Sequence, residues 1–131
     1  VFHSVHDAPV KKESTMEALI RDIKQFAQER DWEQYHSPRN LIMALSVEVA
    51  EVMEHFLWLT GEQSRNLPEK KKNVIMDEIG DVQILLAHLA DQMGIDPIEA
   101  ARQKLVKNRA KYPADKVRGK ALKYTEYLSV E

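Results

Sequence analysis

Two stretches of this chain, about 38–57 and 74–93, carry apolar residues at helical spacing on more than one face. In the first, Leu41, Ile42, Leu45, Val49, Val52, Met53, Phe56 and Leu57 cover much of the helix circumference. In the second, Val74, Ile75, Ile79, Val82, Ile84, Leu85, Leu86, Leu89 and Met93 do the same. A helix on the surface of one globular chain needs an apolar stripe roughly 100° wide. These two exceed that, so each is expected to cover its second face with another subunit. No strand-like alternation competes, and the fold class is all-α.

Capping signals set the expected boundaries. Ser14 and Glu17 have capping-box spacing, and Met16, Leu19, Ile20, Ile23, Phe26 and Ala27 then recur at helical spacing, giving a first helix over about 15–30. Asp31 to Ser37 is a connector rich in aromatic and polar groups. Ser37 followed by Pro38 is an N-cap with a first-turn proline; it opens a second helix expected to stop at Gly61. Pro68 opens the third and Gly94 closes it. Asp96, Pro97 and Glu99 start a fourth, which ends before Pro113 because proline disfavours helix in its predecessor. The resulting organisation is a flexible leader over 1–13, a helical domain over 14–113 and an extended tail over 114–131.

Composition narrows the function classes. A formal charge of -2 supplies no basic field for a nucleic-acid backbone. No apolar run reaches the roughly 20 residues of a membrane span, so a cytoplasmic location without nucleic-acid or membrane partners is expected. There is no cysteine, hence no disulfide and no zinc–thiolate site. With only four glycines, a glycine-rich phosphate loop is absent.

The informative pattern is carboxylates where apolar residues belong. Glu48 and Glu51 lie three apart, as do Glu78 and Asp81, so each pair shares a helix face. Leu41, Leu45, Glu48 and Val52 form one stripe; Ile75, Glu78, Val82 and Leu85 form another. A carboxylate thus occupies a core-facing slot on each central helix. Two like charges about 4 Å apart repel by roughly 4 kcal/mol at an effective dielectric of 20. Four such groups stay ionised together only around a cation, and oxygen-only ligands suit magnesium, calcium or manganese. A di-iron bundle would need two Glu-x-x-His pairs. Only Glu33 with His36 has that spacing, and it falls in the connector.

Glu48-x-x-Glu51, a gap of 26 residues, then Glu78-x-x-Asp81 resembles the metal motif of the all-α, MazG-like nucleoside triphosphate pyrophosphatases. The segments 26–41 (FAQERDWEQYHSPRNL), Phe56-Leu57-Trp58, Lys111-Tyr112-Pro113 and Lys123-Tyr124-Thr125 resemble the dCTP pyrophosphatase branch. The resemblance implies a four-helix bundle completed by helices of a second protomer, as a dimer or a tetramer built as a dimer of dimers. It implies magnesium, with manganese as a substitute, held by Glu48, Glu51, Glu78 and Asp81. It places Trp32, Glu33, Gln34, Tyr35 and His36 in a base-binding connector and Trp58 as a second pocket aromatic. Asn108, Lys111 and Tyr112 would close on sugar and phosphates. The implied reaction converts a deoxynucleoside triphosphate, dCTP above others, into monophosphate and pyrophosphate, with Glu51 expected as general base. Relatives commonly have tyrosine four residues after the motif aspartate, where this chain has Leu85. The rival reading is a non-catalytic helical interaction module whose acids make contacts between protomers.

Overall fold

The computed structural model describes residues 15–128. Among them every regular element is helical: α1 (Met16–Glu29), a 3-10 turn (Glu33–Tyr35), α2 (Pro38–Glu54), α3 (Gly61–Arg65), α4 (Glu69–Gln92), α5 (Pro97–Lys111), α6 (Ala114–Val117) and α7 (Tyr124–Tyr127). Contacts divide the chain into two units, Val1–Gly94 and Ile95–Glu131.

In the first unit α2 and α1 both pack on α4. The α1 N-cap is Thr15, whose hydroxyl accepts the Ala18 amide at 3.1 Å. The expected Ser14–Glu17 box is therefore not what starts this helix, and Ser14, like the expected leader, lies outside the described residues. Ser37 Oγ accepts the Asn40 amide, so α2 begins where Ser37-Pro38 predicts. It ends earlier than expected, at Glu54, and the chain runs through turns to Thr60. Gly61 opens α3 rather than stopping a helix, because Thr60 and Gln63 form a reciprocal capping box. Pro68 and Gly94 bound α4 as predicted; Gly94 takes φ 66°, the left-handed conformation glycine adopts without a Cβ penalty.

The buried apolar core is small: Ala18, Ile23 and Ala27 of α1, Leu41 and Leu45 of α2, Ile75 and Ala87 of α4. The remaining apolar surface of the central helices is open. Val49, Val52 and Met53 of α2 with Ile79 and Val82 of α4 line a groove of about 300 Å³. Val49, Met53 and Ile79 each keep half or more of their surface exposed.

In the second unit Asp96 caps α5 by accepting the Ile98 and Glu99 amides. Helix α5 ends at Lys111, ahead of Pro113 as the proline rule requires. The expected extended tail instead folds into two short helices, held locally: the Tyr127 hydroxyl accepts the Leu122 amide and donates to the Lys120 carbonyl. Single-turn helices leave no 3.6-residue periodicity long enough to read.

Candidate active site

Two paired helices bring the four motif acids together. Glu48 and Glu51 project from α2, and Glu78 and Asp81 from the facing stretch of α4. Leu45 one turn before Glu48 and Ile75 one turn before Glu78 are buried, which anchors both carboxylates at the seam. Glu48 and Glu78 are half-buried, while Glu51 and Asp81 are exposed. The Glu48 carboxyl is held above the usual carboxylate range. Burial is the first cause, followed by its contact with the Glu51 carboxyl and by the charges of Glu51, Asp81 and Glu78.

Two oxygens at this seam are buried without a hydrogen-bond partner, Glu48 Oε2 and Glu78 Oε2. Polar atoms buried without partners are rare in folded proteins and mark a missing ion, water or ligand. Glu78 Oε2 does lie 2.5 Å from Nε2 of His55, a contact that is an ion pair when the imidazole is protonated. The ring sits out of line for a hydrogen bond, so the oxygen still lacks a donor. Among the described residues no three His, Asp or Glu donors already surround one point. Carboxylates that repel one another with no cation between them have no reason to converge. The donor set, all oxygen and partly orphaned, fits a hard divalent ion such as magnesium or manganese, which Glu48, Glu51, Glu78 and Asp81 would hold.

The connector is fixed by the end of α1. Asp31 has φ 52°, and its amide donates to the Gln28 carbonyl while the Trp32 amide donates to Ala27 at 2.9 Å. This is a Schellman cap with aspartate at the left-handed position usually given to glycine. It delivers Trp32 against Phe26, their rings edge-on at 5.8 Å. The turn Glu33–Tyr35 follows, with the Gln34 amide on Asp31 and the Tyr35 carbonyl accepting from Asn40. Trp32 and Tyr35 stay exposed, whereas His36 turns inward and its Nδ1 is buried without a partner. Its ring meets His88 of α4, centroids 4.7 Å apart.

Trp58, expected as a pocket aromatic, is 92% exposed. It borders a hollow of about 400 Å³ lined also by His55, Leu59, Leu67, Pro68 and Lys71. Leu85, where the resemblance leads to an expectation of tyrosine, is half-buried. Asn108, Lys111 and Tyr112 belong to the second unit. There the Asn108 carbonyl accepts the Tyr112 amide, and the Lys111 ammonium lies over the Tyr124 ring at 4.5 Å. Tyr112 packs edge-on against both Tyr124 and Tyr127.

Sequence reasoning missed His55 and His88. His55 follows Glu48 by seven residues and Glu51 by four, so it shares their helix face. His88 follows Asp81 by seven, inside an apolar stripe, and that spacing was the available signal.

With this geometry, the known proteins it resembles become informative. The MazG-like family model matches residues 43–127. The dCTP pyrophosphatase 1 of Mus musculus is 40% identical over 116 residues, covering 87% of this chain and 68% of that protein. That of Homo sapiens is 41% identical over the same shares. A crystal structure of a pyrophosphatase from Archaeoglobus fulgidus superposes with a TM-score of 0.71 at 37% identity, covering 86% of this chain and 98% of that one. The chain belongs to the MazG-like family, on the branch that holds these relatives. It is a hydrolase of the nucleotide pyrophosphatase class.

Proposed function

We propose that the protein hydrolyses deoxynucleoside triphosphates to monophosphates and pyrophosphate, with magnesium as cofactor and dCTP as preferred substrate, and so clears the nucleotide pool. The observation that carries this reading is the orphaned Glu48 Oε2, buried among the like charges of Glu51, Glu78 and Asp81 on packed helices. The choice of dCTP rests on the relatives' activity.

Magnesium bound by the four acids would neutralise the triphosphate and make its bound water more acidic. Glu51, the exposed member of its pair, takes a proton from the attacking water. The water oxygen bonds to the α-phosphorus, the bridging P–O bond to the β-phosphate breaks, and pyrophosphate carries away the electron pair. Trp32 and Trp58 offer exposed aromatic faces on which a base stacks, a contact worth about 1–3 kcal/mol. Glu33, Gln34, Tyr35 and His36 supply hydrogen-bonding groups for its edge, and Asn108, Lys111 and Tyr112 serve sugar and phosphates. Self-association through the open apolar faces of α2 and α4 completes the assembly as a dimer or tetramer.

Hydrolysis of dCTP in ¹⁸O-labelled water with magnesium tests the reaction. The label is expected in dCMP, with pyrophosphate unlabelled, and dCTP should be turned over faster than the other deoxynucleotides. Formation of dCDP and orthophosphate would overturn the assignment of the α-phosphorus.

A further inference from the structure

We infer that His55 is a positioning residue for the acidic cluster, fixing the Glu78 carboxylate so that its other oxygen is presented to a divalent cation. The inference rests on the metal reading above and adds a residue that the motif does not contain.

His55 caps the C-terminal end of α2, where the helix gives way to turns. It stands seven residues after Glu48 and four after Glu51, so its ring projects on the carboxylate face and reaches across the seam to α4. There Nε2 meets Glu78 Oε2 at 2.5 Å, with only 16% and 22% of the two side chains exposed. The oxygen is buried and has no hydrogen-bond partner, and among the described residues the imidazole is the group placed to serve it. Rotation of the ring or the carboxylate would bring the N–H into line. Once Oε2 is engaged, the carboxylate can no longer spin about its terminal torsion, and Oε1 is left for the ion. Carboxylates that ligate metals are themselves held by hydrogen bonds, and removing such outer partners costs about 10–100-fold in metal affinity. His55 also lines the hollow beside Trp58, so the same residue joins the acidic seam to the proposed base-stacking surface.

Manganese binding to the nucleotide-free protein, followed by electron paramagnetic resonance, provides a test that needs no turnover. His55→Leu removes the donor at similar volume, and His55→Gln retains an amide N–H. The Leu variant is expected to bind manganese about 10–100-fold more weakly, with the Gln variant recovering most of the loss. Circular dichroism and melting in EDTA should match wild type, which separates lost positioning from lost fold. Equal affinity in all three proteins would overturn the inference while leaving the metal site standing. Tighter binding in the Leu variant would also overturn it, making His55 a competitor of the ion. A directly coordinated imidazole nitrogen in the spin-echo spectrum would replace it with a ligand role. Failure of the wild-type protein to bind manganese would remove the metal reading and this inference together.

Discussion

The His88 ring meets the His36 ring edge-on with centroids 4.7 Å apart, tying the aromatic connector to the C-terminal end of α4. His88 is 4% exposed, the one buried polar or charged residue among those described. Gln92 Nε2 lies 3.5 Å from its Nε2.

This burial makes stability depend on acid. Burial holds His88 below the ordinary imidazole value of 6.5; His36 and Lys24 push the same way, against Asp91 and Glu33. The unfolded chain therefore takes up the proton first, and the contribution of neutral His88 is lost as pH falls below about 6.5. Melting temperature should drop between pH 7.5 and 5.5, and His88→Leu should show a shallower drop by a few degrees. Parallel pH slopes in both proteins would show that His88 does not govern this dependence.

Glu48 acts in the opposite sense. Its raised value means that its ionised form costs folding energy in the metal-free protein at neutral pH. Glu48→Gln should therefore raise the melting temperature in EDTA at pH 7. The gain should shrink as pH falls toward the ordinary value of 4.5, as the wild-type side chain takes up its proton. Turnover should fall by more than the roughly 100-fold that losing an outer partner costs. An active Glu48→Gln enzyme would end the metal proposal.

Asp31 carries the backbone strain of the α1 cap. A β-branched residue fits the left-handed region poorly, so Asp31→Val is expected to cost about 1–2 kcal/mol. Asp31→Gly should be neutral or stabilising by up to about 1 kcal/mol. Urea unfolding measures both; a Val variant as stable as wild type would show that the cap relaxes freely.

The groove of Val49, Val52, Met53, Ile79 and Val82 is the surface expected to bury itself on association. Light scattering at micromolar protein should give a dimer or tetramer, and Met53→Glu should shift it toward monomer. A wild-type monomer at that concentration would contradict the assembly.

The long elements were legible because burial writes a 3.6-residue period into them. Proline, glycine and Asp96 punctuate them at positions the structure keeps, as at Pro68, Gly94 and Asp96. What was not legible depends on local or tertiary choices. Gly61 reads as a stop until Thr60 and Gln63 are seen to cap each other across it. Asp31 hides a helix end that glycine would have announced. The acid quartet was visible because carboxylates interrupt apolar stripes. His55 was not, since a histidine at the end of a helix has many ordinary uses and only the fold brings it to Glu78.

The path of the connector after α1 is held by main-chain groups: the Trp32 and Asp31 amides bond to the Ala27 and Gln28 carbonyls. A loop anchored through its backbone keeps its course when its exposed side chains change. The positions holding Trp32, Glu33 and Tyr35 can therefore exchange residues with little penalty to the helix that presents them, whereas the Gln34 side chain bonds Asp31. Under the proposed function, the choice of base would be free to drift by substitution in this short segment while the acidic seam of α2 and α4 stays as it is. On that proposal, substrate preference would be a replaceable part bolted to a fixed hydrolytic engine.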